Sequence, residues 1–163
     1  MPTRNRLALA ASLIQRLPRR LHEPLLSRLF GSQVHFAGTA RVRIHSMTTT
    51  EVRMSLANRR RVQNHIKGVH AAAMALLAES ASGCVLGMNL PDDKLPLITC
   101  LKVDYLRRAR GDLRATATLD AQQRQAILEQ ERGEIDVRVT VTDASGEQPI
   151  HCEMRWAWVS RRR

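Results

Sequence analysis

The sequence predicts an α+β fold, with one antiparallel sheet packed on a single buried helix. Two observations carry this expectation. Residues 64–83, NHIKGVHAAAMALLAESASG, are apolar nearly all the way round at helical spacing, with Ile66, Val69, Ala73, Leu77 and Ala81 in register. A helix without a polar face is buried on every side. Elsewhere the period changes to two, in successive runs joined by tight turns, which is the pattern of consecutive hairpins and an antiparallel sheet. A helix of that length spans about 20–27 Å at 1.5 Å per residue. That matches a sheet whose strands lie about 4.8 Å apart, so a sheet curled round a lone helix is the expected shape.

The elements follow in order. Residues 1–30 are basic and helix-like, with LALAASLIQRLPRR followed by LHEPLLSRLFG. Pro18 breaks this segment, Pro24 suits the first turn of a second helix, and Gly31 is expected to end it. No acidic residue precedes Glu23, and Arg4, Arg6 and Arg16 flank an apolar face. Such a segment is a transit peptide, an interfacial helix or a helical hairpin lying on the domain. Ala40, Val42 and Ile44 then alternate with arginine and histidine, and Val52, Met54 and Leu56 alternate across the SMTTT turn. The long helix is expected over residues 64–83, with Gly83 as its stop. After it, CVLGMNL reads as a strand covered on both faces. Further strands are centred on Leu101–Val103–Tyr105, on Leu113–Ala115–Ala117, on Ile135–Val137–Val139–Val141, and on Ile150–Cys152–Met154–Trp156–Trp158. A short helix or polar excursion lies at residues 121–132, and DASGE makes a hairpin turn. The expected division is an N-terminal helical segment at 1–34, the sheet-and-helix domain at 35–160, and a basic tail at 161–163.

Composition narrows the function. The net charge is +11, which favours polyanionic partners: nucleic acid, acidic lipid or a phosphate-bearing small molecule such as coenzyme A. Aromatic residues make up only 3%, too few for base-stacking platforms, so no nucleic acid partner is expected. No run reaches the roughly 18 apolar residues of a membrane span. Cys84, Cys100 and Cys152 are odd in number and lack metal-ligand spacing, which points to reduced thiols and a cytoplasmic setting. His65 with His70 makes a poor metal pair, since no supporting ligands accompany it.

The one chemical anomaly is Glu79, a carboxylate on an otherwise apolar helix. It is costly there unless it is paired, protonated or used. Lys67 or a buried arginine is the pairing alternative. Asn64 is also a competent helix N-cap. A helix N-terminus presents unpaired amides and a positive dipole end, here near His70 and Ala71.

The layout and these residues resemble the hotdog-fold thioesterase superfamily. The likeness is to the phenylacetate-pathway type and a sparsely characterised branch related to it, and it covers residues 35–159. The superfamily opens its helix with His-Gly-Gly and places an acid nine positions after the histidine, behind Leu-Ala. Here His70-Ala71-Ala72 leads to Leu77-Ala78-Glu79, and Asn64 stands where some members carry a polar residue. Residues 103–113, VDYLRRARGDL, are similar to its strand-and-turn signature. Both glycines are alanines in this chain, and the acid is glutamate rather than the commoner aspartate. The resemblance implies hydrolysis of an acyl-CoA thioester, with Glu79 as general base or nucleophile and the helix amides, Ala71 above all, as oxyanion hole. It implies Asn64 and His70 as further site residues. Coenzyme A enters only as part of the substrate, with Arg107, Arg108 and Arg110 as its phosphate ligands. It also implies a homodimer or dimer of dimers whose site spans the interface. The lost glycines keep open a second expectation, a non-catalytic acyl-CoA or acyl-carrier binding protein.

Overall fold

The computed structural model describes residues 5–161; Arg4 and the last two arginines of the basic tail lie outside them. Three helices come first: α1 (Arg6–Gln15), α2 (His22–Gln33) and α3 (His35–Ala40). The sheet strands β1 (Arg43–Met47) and β2 (Glu51–Leu56) precede the central helix α4 (Ala71–Gly87). Then come β3 (Lys94–Tyr105), β4 (Leu113–Thr118), the short helix α5 (Ala121–Glu129), β5 (Gly133–Thr142) and β6 (Ile150–Ser160). The six strands are ordered β1-β2-β4-β5-β6-β3, each antiparallel to its neighbours. Helix α4 packs against β2, β3, β4, β5 and β6, so the sheet wraps it. Its apolar circumference leaves no other arrangement: Ala73, Leu77, Ala81, Val85 and Leu86 must all leave water, and all are buried.

The helix starts later and ends later than its sequence suggests. Residues 64–70 are a loop. The Asn64 side-chain carbonyl accepts the amides of Ile66 and Gly68 at 3.1 and 3.0 Å, a local bond that competes with helix formation. Lys67 sits in the left-handed region at φ 60, and Gln63 bridges Val69. The helix opens at Ala71, capped by His70, whose Nδ1 accepts the Ala72 amide at 3.1 Å.

At the other end Gly83 does not stop it. A glycine inside a helix costs only about 1 kcal/mol relative to alanine, and the Trp156 ring lies on this one: a Cβ there would sit 2.8 Å from it. The Trp156 indole also donates to the buried Ser82 hydroxyl at 3.0 Å. The run CVLGMNL is therefore the last turn of α4 and its cap, not a strand, and Cys84 is a helical residue buried to 2% exposure. A continuous apolar run does not distinguish the two states by its pattern. Asn89 closes the end, donating to the carbonyls of Val85 and Thr49.

Two smaller differences lie upstream. Gly31 falls inside α2 because it meets Gly38 of α3 at close range: a Cβ on Gly38 would come within 2.7 Å of the Gly31 carbonyl oxygen. Ala40 ends a helix rather than starting a strand. Arg41, at φ 59, turns the chain left-handed at that cap, so the alternation becomes a strand only from Arg43.

Gly83→Ala tests the continuous helix. Overpacking against Trp156 is expected to outweigh the helix-propensity gain and destabilise the protein by about 1–3 kcal/mol, read as a lower denaturation midpoint in urea. A neutral substitution would contradict the seating of the ring.

Candidate active site

Glu79 lies near the middle of α4, half-buried, and its carboxylate has no ion pair or hydrogen bond among the described residues. Lys67 does not reach it; that residue stands exposed in the loop before the helix. Burial pushes the Glu79 pKa up from the ordinary carboxylate value. The side chain borders a mostly apolar cavity of about 620 Å³, within the size range of small-molecule sites. Helix α4 supplies one wall, with Ser80, Gly83 and Cys84. Leu29, Phe30 and Val34 at the end of α2 supply another, and Trp156 and Leu7 close it.

The N-terminal helices are therefore part of the site. Sequence reading did not place them there, because nothing local shows which surface a basic amphipathic segment covers. It also missed Ser80, whose buried hydroxyl lacks a hydrogen-bond partner on the same cavity. Its position beside Glu79 was the only available signal. The Cys84 thiol is raised to about 12 by burial and is inert as a nucleophile at neutral pH.

The helix N-terminus is a second locus. The amide of Ala72 is taken by His70 Nδ1, and the amide of His70 donates to the Val62 carbonyl at 2.8 Å. In the first turn this leaves the Ala71 amide without an acceptor among the described residues, so Ala71 rather than His70 is the available oxyanion donor. His70 itself is exposed and acts as the cap. Asn64 shapes the preceding loop with its carbonyl and keeps its amide nitrogen free. Tyr105 at the end of β3 donates to the Ala71 carbonyl at 2.9 Å, pinning the helix start to the sheet.

Ala71 and Glu79 are eight residues apart on one helix, about 12 Å at 1.5 Å per residue. Asn64, His70 and Ala71 do not border the Glu79 cavity. One chain thus separates the carboxylate from the amide that would face it.

The arginine bend frames a third region. Arg107, Arg108, Arg110, Lys67 and Gly68 line a cleft of about 520 Å³. Two of the arginines are already engaged. Arg107 pairs with Asp143 at 2.9 Å, and Arg108 donates to the Ile66 carbonyl at 3.0 Å, joining the bend to the loop before α4. The side chains of Arg110 and Lys67 have no partner among the described residues. Asp143 anchors the bend from below. Its side chain is fully buried and accepts from the Arg110 amide at 2.8 Å and from the Ser145 amide and hydroxyl at 2.9 and 2.6 Å. Burial alone would raise its pKa. The hydrogen bonds from Ser145, the Arg110 amide and Arg107 overcome that and hold it well below the usual carboxylate range. Among the described residues no three histidine, cysteine or acidic side chains converge as a metal site.

Residues 23–159 match the family model described as a domain of unknown function, DUF4442. The chain belongs to the DUF4442 family. Solved structures of similar fold carry thioesterase names. One is a Pseudomonas aeruginosa protein of unknown function described as a probable thioesterase. It has a TM-score of 0.74 and 23% identity over 88% of this chain and 97% of that one. A thioesterase from Haemophilus influenzae aligns at TM-score 0.65 and 11% identity, over 78% of this chain and 85% of that one. A thioesterase family protein from Silicibacter pomeroyi aligns at TM-score 0.66 and 15% identity, over 82% and 96%. No curated protein matches the sequence. This DUF4442 protein has the hotdog fold, a curved six-stranded antiparallel sheet around a central helix.

Asp143→Ala removes the anchor of the arginine bend and leaves Arg107 without its ion partner. A loss on the order of 3 kcal/mol is expected in urea unfolding at neutral pH. The folded carboxyl titrates below its unfolded value of about 3.9. Its stabilisation is therefore complete above that pH and is lost as pH falls through the folded value, so the gap between wild type and variant should close in acid.

Proposed function

We propose that the protein hydrolyses acyl-CoA thioesters as a homodimer or a dimer of dimers in the cytoplasm. The observation that carries this reading is Glu79: an unpaired, half-buried carboxylate beside an apolar cavity large enough for an acyl chain. The thioester carbonyl would be polarised by the Ala71 amide at the positive end of α4, which favours the charge that develops on oxygen. Glu79 takes a proton from water as the water oxygen bonds to the carbonyl carbon. The tetrahedral adduct then collapses, the carbon–sulfur bond breaks, and the proton returns from Glu79 to the departing thiolate. Direct attack by the carboxylate, which breaks the carbon–sulfur bond, expels the coenzyme A thiolate and gives a mixed anhydride that water opens, is the nucleophilic variant. Asn64, through its free amide nitrogen, would orient water or carbonyl. His70 holds the first turn in shape.

The spacing of Ala71 and Glu79 supports a site shared between two copies, with the amide from one helix and the carboxylate from another. Edge strand β3 supports the same assembly. It pairs on one side only and exposes Leu95, Leu97, Ile98 and Leu101, an open edge suited to pairing with a second copy. The basic cleft of Lys67, Arg107, Arg108 and Arg110 suits the phosphates of coenzyme A. One observation favours a second reading, acyl-CoA binding without turnover: among the described residues, the first turn of α4 leaves only one amide for an oxyanion.

Turnover of a panel of acyl-CoAs by wild type and Glu79→Gln decides between them. Loss of general-base catalysis is worth about 10²–10⁴-fold, and that loss is expected with binding retained. Unchanged hydrolysis in the variant sinks the assignment, and binding without turnover by wild type favours the second reading. With the Glu79 pKa raised, wild-type activity should climb with pH to a half-point above the ordinary carboxylate value.

The same burial has a stability consequence. A carboxyl with a raised folded pKa is most favourable below its unfolded pKa, and that contribution is lost as pH rises through the folded value. Glu79→Gln should therefore melt higher than wild type at neutral pH, with the advantage fading in acid. A third test addresses the shared site. Leu97→Lys with Leu101→Lys on β3 should yield monomers in light scattering and lose turnover together with assembly.

A further inference from the structure

Helix α1 has two unlike faces. Inward, Leu7 borders the Glu79 cavity, Ala11 is fully buried, and the Asn5 side chain donates to the carbonyls of Gly87 and Leu90 at 2.9 Å each. Outward, Leu9 and Leu13 stand one turn apart and are 53% and 52% exposed. In the turn and short 3-10 helix that follow, Leu17 and Leu21 are also exposed, at 42% and 38%. A single exposed leucine needs no explanation, but a spaced series of four on one segment does.

The charges beside them are of one sign. Arg16, Arg19 and Arg20 are exposed and have no hydrogen-bond or ion-pair partner for their side chains among the described residues. The first acid of the sequence is Glu23, and it is already engaged with Arg43 and His45. Apolar side chains flanked by unneutralised guanidiniums match the boundary between lipid headgroups and acyl chains. There the leucines leave water and the arginines meet phosphates. A second copy of the same face is a poorer occupant, because it would set arginines against arginines. A spanning role does not fit either, since no helix among the described residues is long and apolar enough to cross a membrane.

We propose that the Leu9–Leu13 face of α1, with the neighbouring exposed Leu17, Leu21, Arg16, Arg19 and Arg20, docks the protein on an anionic phospholipid surface. This holds whether or not Glu79 hydrolyses thioesters. Because α1 also borders the cavity, docking brings that cavity close to the lipid.

The test is co-sedimentation of the full chain with phosphatidylcholine vesicles, with and without phosphatidylserine. Wild type should bind the phosphatidylserine vesicles at least about tenfold better, and added salt should reverse the preference. Leu9→Ser with Leu13→Ser should weaken binding to both vesicle types about tenfold or more. Replacing Arg16, Arg19 and Arg20 by glutamine should remove the preference for phosphatidylserine, a drop of roughly a hundredfold on those vesicles. All of these side chains are exposed, so thermal unfolding should match wild type and serves as the folding control. Wild type that binds neither vesicle, or both equally, overturns the proposal, as does a serine variant that binds like wild type. If the serine variant instead dissociates a larger assembly while neither protein binds vesicles, the face is a contact between copies and the lipid reading fails.

Discussion

The structure depends on one constraint: α4 has no face that tolerates water. Alanine, leucine and valine occupy nearly its whole circumference, so every side must be covered. The sheet covers most of it by wrapping from β2 across to β3, and α1 with the end of α2 lines the cavity that Glu79 borders. The cover there is incomplete, and the gap between helices and α4 is the cavity. Fold and candidate site are thus two consequences of one demand. The same enclosure that stabilises the helix half-buries its only carboxylate and raises that group's proton affinity.

A second constraint governs the end of the helix. Backbone donors near a helix start are scarce once local side chains claim them. Here the His70 amide goes to Val62 and the Ala72 amide to the His70 ring, leaving Ala71. The loop before it is shaped by Asn64, which also receives support from Arg108 through the Ile66 carbonyl. The arginine bend, in turn, hangs from Asp143, so a buried acid on the β5–β6 connection organises the basic cleft. A short chain of hydrogen bonds and one ion pair thus connects the basic cleft to the helix start.

Strand periodicity was legible because it is local. Val52, Met54 and Leu56, the Leu113–Ala117 alternation and the Ile150–Trp158 alternation all appear as strands with those residues inward, since a half-buried sheet writes its burial directly into a period of two. The long helix was legible in kind but not in extent. Its start was hidden because Asn64 and Lys67 divert the backbone into a loop whose residues are compatible with a helix. Its end was hidden because Gly83 stops a helix in isolation, yet here it makes room for Trp156, seventy-three positions away.

By itself the sequence determined the class of fold, the antiparallel hairpins, the wrapped apolar helix and Glu79 as its chemical anomaly, because these follow from hydrophobic periodicity and from the cost of a lone charge in apolar surroundings. Only the tertiary structure decided that α1 and α2 wall the cavity, that Gly83 lies inside α4 beneath the Trp156 ring, and that Asp143 holds the arginine bend. Those facts arise between segments distant in sequence, where packing and hydrogen-bond competition, not local pattern, choose the outcome.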